Sequence, residues 1–491
     1  MDQGAPAAQA AGAGDLSALV GPGPGVHPGP EAPPGTTLDL GQAALATIRH
    51  FWPDLNAWLD DLQDTRFAPL VVYHRRFLWW WGIALFLLKL GSRRQLDFDL
   101  RDLSTQVLPN LNRLAQTTQE TLPVDGTLDH FLGHVGASAG ETLKTQMLRR
   151  LIRMKALDDA RLKGHFVVAV DGTGWMAFRE RHCNRCLSQK HGDSTIYLHM
   201  LLEAKLLGPS GLALSMGTEF IENSPDSPAA PIADTEEAKQ DCELMALERL
   251  APALKAKFPQ LALCLSSDSL YACGRALTVA KDNGWKYIFT FKEGRLPAVW
   301  EEFQRLLALT PENTLCLTLP NGTQQLFRWV NGMSYEDSDR RSHTFNALEC
   351  MESVGDLTTR YAWMTDFVCG ANTVGAIAEK GGRARSRIEN EGFNIQKNSD
   401  LNLEHPYSMD LEKLKAYYYL LQIAHMILQL LEKGSLLKHV AAKAGKRPME
   451  LFGSLKNVAR RLLEAFRYCL LPDEAFDPIA AASIQIRLTP G

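Results

Sequence analysis

At Gly164 the chain changes its hydrophobic period, and that change limits what it can fold into. From Leu38 to about Lys163, apolar residues recur at three- and four-residue spacing, as in HRRFLWWWGIALFLLKLGSRRQLD and KTQMLRRLIRMKALDDARL. That is the pattern of helices with one buried face. After Gly164, HFVVAVDGTG is a short β-branched run that ends on an acid, Asp171. YLHMLLEAKLL and LALSMGTEFI follow as strands, with GPSG as the turn between them. The pattern then predicts a helix from about Glu236 to Phe258, capped by Asp234, with Leu247, Leu250, Ala251, Leu254 and Phe258 on one face. LALCLSSDSLYA is a fourth strand, ending on Asp268, and a short helix around Arg275 to Lys281 leads to a fifth, WKYIFTFK. The order βββαβαβ predicts an α/β fold with a mixed five-stranded sheet, a meander followed by parallel strands reached through helices.

The rest of the chain is expected to dress this core. Residues 1–37 are rich in Gly, Pro and Ala and read as a disordered tail. Residues 38–163 form a helical region, a candidate for DNA binding, and 164–292 hold the first part of the core. Residues 293–366 read as a β-rich insertion: TLCLTLPNGTQQLFRWVNG predicts a hairpin turning at Asn321-Gly322, and YAWMTDFV another strand. Residues 367–405 complete the core, with a helical pattern over Val374 to Lys397. Region 406–491 carries two long helices, Asp410 to Lys433 stopped by Gly434 and about Leu451 to Leu471, assigned to DNA binding or dimerisation.

Composition narrows the class. With 45% apolar residues the chain of 491 can bury a sizeable core. A net charge of −4 is not the balance of a protein that coats nucleic acid, so DNA binding would come from local basic surfaces. Nine cysteines, odd in number and irregularly spaced, do not form a disulfide framework and fit a reducing compartment. The first residues lack the basic and apolar regions of a signal peptide. The run FLWWWGIALFLLKL, Phe77 to Leu90, falls short of the about 20 residues of a membrane span and reads as a buried helix. The expectation is a cytoplasmic, nucleoid-associated protein with no membrane partner.

Two acids at strand ends carry the chemistry. Ligands of open α/β sheets bind at the carboxyl ends of the strands. If the first and fourth strands are neighbours, Asp171 and Asp268 converge, and a divalent cation relieves their repulsion. Mg²⁺ prefers oxygen ligands, and needs only one or two carboxylates plus phosphate oxygens. A strand-end Asp also serves simply as a turn or cap residue. A third acid, Glu389, follows in GGRARSRIENEGFNIQKN, four residues after Arg385 and on the same helix face, with Ile388 as an apolar anchor. Alone, that pair reads as an ordinary ion pair on a solvated face.

Together, VDGTG, SSDSLYA and RIENEGFN make the chain resemble a DDE transposase of the bacterial insertion-sequence type, from the group with a β-rich insertion before the catalytic Glu. KQDCE, Lys239 to Glu243, is also similar to sequence of that family. The resemblance covers roughly residues 164–400 and implies an RNase H-like core. It implies that Asp171 bridges two Mg²⁺ (or Mn²⁺) ions and that Asp268 and Glu389 each hold one. Arg385 and Lys397 would contact phosphate near the cleaved bond. Water would attack the phosphodiester, and the freed 3′-hydroxyl would attack target DNA. Implied partners are the terminal inverted repeats, target DNA and a second copy of the chain in a synaptic dimer. The family signature is Tyr, two residues, Arg, three residues, Glu, six residues, Lys. Arg385 and Glu389 match, whereas Gly382 stands in the Tyr slot, Gln396 in the Lys slot with Lys397 one step late, and Ser386 where an aromatic residue is common. Glu391, four after Arg387, is the alternative third ligand. A DNA-binding relative without catalysis and an RNase H-like nuclease remain open beside a transposase.

Several further residues are candidates. RHCNRCLSQKHG carries Cys183 and Cys186 at the spacing of half a structural zinc site, with His191 or His199 to complete it. The other reading is two reduced, packed thiols. Lys456, Arg460 and Arg467 line one face of the last helix, opposite Leu455, Val458, Leu462 and Phe466; with Lys438, Lys443, Lys446 and Arg447 they form a candidate phosphate patch. Arg383, Arg385 and Arg387 form a second cluster. Trp329 is either a platform for a flipped base or core, and Trp79, Trp80 and Trp81 read as core.

Overall fold

The structure is a computed structural model that describes residues 36–191, 194–224, 241–476 and 485–488. Residues 1–35 of the expected 1–37 tail, the expected cap Asp234 and Lys239 lie outside the described residues, while Thr36 and Thr37 open the first helix.

Ten strands form one sheet: β1 (Phe166–Phe178), β2 (Leu187–His191), β3 (Ser194–Leu207), β4 (Ala213–Ile221), β5 (Leu263–Ser267), β6 (Lys286–Thr290), β7 (Thr314–Thr318), β8 (Gln324–Glu336), β9 (Ser342–Val354) and β10 (Leu357–Thr365). Their order is β2-β3-β1-β5-β6-β10-β9-β8-β7, with β4 also paired to β3. β1 with β5 and β5 with β6 are parallel; the other pairs are antiparallel. The fold is therefore α/β with a mixed, largely antiparallel sheet. β5 is buried at all five positions, as a parallel strand covered on both faces must be.

Three sequence expectations are revised here. The sheet has ten strands rather than five, because β10 pairs with β6 (Trp363↔Thr290, Met364↔Phe289) and carries β9, β8 and β7 outward in the same sheet. Residues 293–366 are thus an extension of the sheet. They also hold a helix, Pro297–Leu309, which buries Phe303 and Leu307. The helix expected from Glu236 starts at Glu243, with Asp241 and Cys242 already non-helical. The hairpin between β7 and β8 does turn at Asn321-Gly322: Gly322 has φ +83°, and Asn321 Oδ1 accepts from the Thr323 amide at 3.1 Å.

Before the sheet come helices Thr36–Phe51, Leu55–Asp61, Arg75–Leu87, Arg93–Leu100, Val107–Ala115 and Asp125–Arg153. The apolar run is a core helix: Phe77 to Phe86 are all buried, and the Trp80 indole donates to Asn56 Oδ1 at 2.8 Å. No helix among the described residues is long and apolar enough to cross a membrane. After the sheet, Leu411–Lys433 is buried without a break from Leu414 to Leu431. It packs on Arg75–Leu87, on Asp125–Arg153 and on β4. A helix buried on every face has to sit inside a large core. The described residues of region 406–491 accordingly join the same core as the N-terminal helices and the sheet. Gly434 ends that helix, and Ser435–Lys443, Pro448–Phe452 and Leu455–Tyr468 follow.

Candidate active site

Asp171 lies within β1, which runs on to Phe178, so it is not the strand-end residue the sequence suggested. What ends near it is the parallel pairing with β5, whose last pair is Ala169↔Ser266. Continuing that register sets Asp171 level with Asp268, the first residue after β5. Asp268 is also a cap: its Oδ1 accepts from the Leu270 amide at 2.9 Å and opens the turn Ser269–Tyr271.

Glu389 arrives on an irregular helical segment. Val374–Ala376 is α-helical, Ile377–Gly382 π-helical, Arg383–Ser386 3-10, Ile388–Asn394 π-helical and Ile395–Asn398 α-helical. Such alternation concentrates at functional sites and strained stretches. Tight packing accompanies it. A Cβ on Gly381 would lie 2.1 Å from Ile288 Cδ1, and one on Gly382 would lie 2.3 Å from the Trp363 indole. Trp363 therefore fills the space where the family signature carries a Tyr.

Arg385 joins the acids. Its Nη1 stands 2.7 Å from Glu389 Oε1 and 3.6 Å from Asp171 Oδ2. Burial is the main force on the Asp171 carboxyl, which is pushed up to about 7. Arg385 opposes that push, while the charges of Glu243, Glu389 and Asp268 add to it. The structure thus brings Asp171, Asp268, Glu389 and Arg385 into one electrostatic group, drawn from three separate segments.

Glu243 is the member that the sequence reading passed over. It opens the helix Glu243–Lys257, and its Oε2 accepts from the buried Tyr271 hydroxyl at 3.0 Å. Burial raises its carboxyl, the Tyr271 hydrogen bond opposes the rise, and the charge of Asp268 adds to it. A Cβ on Gly172 would lie 2.3 Å from the Glu243 carboxylate, so the residue after Asp171 must be Gly for this acid to come so close. KQDCE contained Glu243, yet nothing in its spacing distinguished it as a ligand.

The donors suit a hard divalent cation, since all are carboxylate oxygens, and burial with three neighbouring acids opposes the charge on Asp171. They are not closed around a point. Among the described residues the metal-type group with all donor atoms within 4.8 Å of one another is Cys183, Cys186 and His199. At the acids, the Arg385 guanidinium supplies the positive charge.

The other predicted residues fall in different places. Glu391 lies against the turn Pro209–Gly211, 3.8 Å from the Cβ position of Gly211, and Arg387 donates to the Gly208 carbonyl at 3.3 Å. That pair is turned to a different contact from Arg385 and Glu389. Arg383 is held by Glu352 (Nη2 to Oε1, 2.9 Å) and Glu379 (3.1 Å) and lies over the Tyr361 ring. Lys397 pairs with Glu404 at 2.8 Å. Gln396 is fully buried, donating to Gln422 Oε1 and touching His425 Nδ1, each at 2.9 Å. A charged Lys in that slot would lose its water, which accounts for an amide there.

Trp329 is 6% exposed and belongs to the core, the second of its two expected roles. On the last helix Lys456 is exposed and pairs with Asp400 at 3.0 Å, Arg460 is exposed, and Arg467 is half-buried against the Tyr468 ring. Lys443 pairs with Asp39 and Arg447 with Glu450. His199, one of the two histidines proposed beside Cys183 and Cys186, lies within reach of both. The His191 side chain lies outside the described residues.

The sequence matches no family model and no curated protein.

Proposed function

We propose that the chain is a transposase, a metal-dependent DNA-strand transferase built on an RNase H-like core. The observation that carries this reading is the grouping of Asp171, Asp268 and Glu389 with Arg385 at the carboxyl end of the parallel β1–β5 pairing. The strand order β4-β3-β1-β5-β6, antiparallel on one side of β1 and parallel on the other, supports the choice of core. In this reading Asp171, Asp268 and Glu389 hold Mg²⁺ or Mn²⁺, which when bound activates the attacking oxygen and stabilises the leaving one.

The chain's own residues do the rest. Asp171 takes its charged form as positive charge arrives, because burial and three neighbouring acids now oppose ionisation. Arg385, with a forked guanidinium between two carboxylates, is the group that can turn to a phosphate. Tyr271 fixes Glu243 by a hydrogen bond and leaves its other oxygen toward Gly172. Lys456 and Arg460 add exposed positive charge to the last helix for the DNA backbone. Terminal inverted repeats, target DNA and a homodimer that synapses two ends are the partners of this activity.

The test uses the purified full-length chain, labelled DNA carrying any inverted repeats found on either side of its gene, and Mg²⁺ or Mn²⁺. Nicking at the repeat ends followed by joining is the expected result, with loss in Asp171→Asn, Asp268→Asn and Glu389→Gln. Cleavage that survives Asp171→Asn sinks the assignment. Cutting without joining or end preference identifies a nuclease, and end binding without cutting a non-catalytic relative. The Arg385 guanidinium lodged between Asp171 and Glu389 favours that last reading over the nuclease.

A further inference from the structure

Away from the acids, three soft donors meet at the start of β2. Cys183 and Cys186 lie in the connection from β1 to β2, and His199 comes from β3. The two Sγ atoms are 3.7 Å apart, and each is 3.4 Å from His199 Nε2. With Zn–S about 2.3 Å and Zn–N about 2.0–2.1 Å, a tetrahedral ion sets two sulfurs about 3.8 Å apart and each sulfur about 3.6 Å from the nitrogen. The observed triangle matches those separations within about 0.2 Å. A disulfide does not describe the pair, because its S–S bond is about 2.05 Å.

The surroundings hold this triangle in place. The Cys186 amide donates to the Cys183 carbonyl at 3.3 Å, which closes the turn. Asn223 clamps the turn from β4's end, its amide donating to the Arg185 carbonyl at 3.1 Å and its Nδ2 to the Cys186 carbonyl at 2.9 Å. Cys186 and His199 are buried, at 2% and 1% exposure. The His199 ring is wedged edge-on between Trp175 and Phe178, and its Nδ1 has no hydrogen-bond partner. Arg185, paired with Glu222 and Glu412, adds positive charge beside the thiols.

We propose that Cys183, Cys186 and His199 bind one Zn²⁺, with a water in the fourth position. Cys183 is half-buried and lines a cleft with Asn184, Arg185, Asp410, Leu411 and Glu412, which gives that water its access. His182 is engaged elsewhere, stacked on Phe178 with Nε2 3.3 Å from the Met409 carbonyl. On binding, the two thiols lose their protons to solvent and become thiolate ligands; no redox change occurs. The ion staples the β1–β2 connection onto β3, beside the start of the Leu411–Lys433 helix. Nothing in this depends on the acids of the candidate active site.

Metal analysis of the full-length protein, purified with reductant and without chelator, is expected to give one zinc per chain. Replacement by Co²⁺ should produce thiolate-to-cobalt absorption. Cys183→Ser and Cys186→Ser should each abolish that absorption and weaken zinc binding by at least about 100-fold, more than loss of an outer-sphere partner does. Wild-type protein alone gives a second readout that does not require the variants to fold. Alkylation of Cys183 and Cys186, followed by mass spectrometry, should be slow with zinc and fast after chelation, while the exposed Cys316 reacts equally in both. Absence of zinc with equal alkylation in both states, or a Cys183–Cys186 disulfide in the reduced preparation, would overturn the proposal.

Discussion

Gly172 and Glu243 show how tightly single residues define the acid cluster. The Cβ of an alanine at 172 would sit 2.3 Å from the Glu243 carboxylate, far inside contact distance, so the acid or the strand must move. Gly172→Ala should destabilise the protein by about 1–3 kcal/mol, the range for overpacked sites. In a Glu243→Ala background that penalty should fall below about 1 kcal/mol, and in Glu243→Gln, which keeps the bulk, it should persist. Urea unfolding of the five single and double variants beside wild type measures the coupling; a penalty equal in the wild-type and Glu243→Ala backgrounds would refute it. Asp171 and Asp268 were legible in the sequence because each follows a run of β-branched or apolar residues. Glu243 was not, since an acid at the first turn of a helix has the same sequence signature whether it faces solvent or a buried Tyr. What surrounds Gly382 and Gln396 is visible only in three dimensions: Trp363 occupies the space over Gly382, and Gln396 belongs to a buried amide network.

At the scale of elements, helices and strands were read well where pattern and environment agree. β1, β5 and β6 are apolar runs and form where expected. β9 escaped notice because Glu349 interrupts its apolar pattern. That acid is fully buried, held by Arg328 (Nε to Oε1, 2.6 Å) on β8 and Arg360 (Nε to Oε2, 2.9 Å) on β10. A charge that would break a strand on its own is tolerated when both neighbouring strands supply guanidinium partners. β2 is short and polar, and no pattern marked it. The segment around Glu389 has a helical period, but its first π-helical turn packs closely on β6 and β10 and its second on β1 and β4, contacts that no local pattern encodes. The Leu411–Lys433 helix has a conventional start. Asp410 Oδ1 accepts from the amides of Glu412 at 2.9 Å and Lys413 at 3.2 Å. Asp410→Ala should cost about 1 kcal/mol, with Asp410→Ser close to wild type, measured as a shift of the urea midpoint at unchanged slope.

For the molecule as a whole, buried charge ties stability to pH. Lys144, on the helix Asp125–Arg153, is wholly buried, donating to Ser215 Oγ at 2.9 Å with its Nζ 5.4 Å from the centre of the Tyr419 ring. Burial lowers its pKa from 10.5 to about 8. Between those values the unfolded chain holds a proton that the folded chain has released, so stability rises with pH from about 8 to about 10.5. Integrated over that window the gain is roughly 3 kcal/mol. Lys144→Met should lack this rise, so the stability difference between wild type and variant must change across the window. A difference constant over that range would show that Lys144 does not titrate there.

The buried helix near the end of the chain also sets a timetable. Trp79, Trp80 and Trp81 belong to a helix packed against Leu411–Lys433, more than three hundred residues later in sequence. At roughly 5–20 residues per second, a ribosome takes tens of seconds to deliver that partner. Throughout synthesis the N-terminal helices must wait with an apolar face uncovered, which makes the nascent chain a natural client of chaperones. A fragment ending at residue 405 should therefore aggregate or bind a hydrophobic dye, and a separately supplied 406–491 segment should restore its solubility. A soluble, cooperatively folded 1–405 fragment would mean that the first 405 residues complete their core without the last 86.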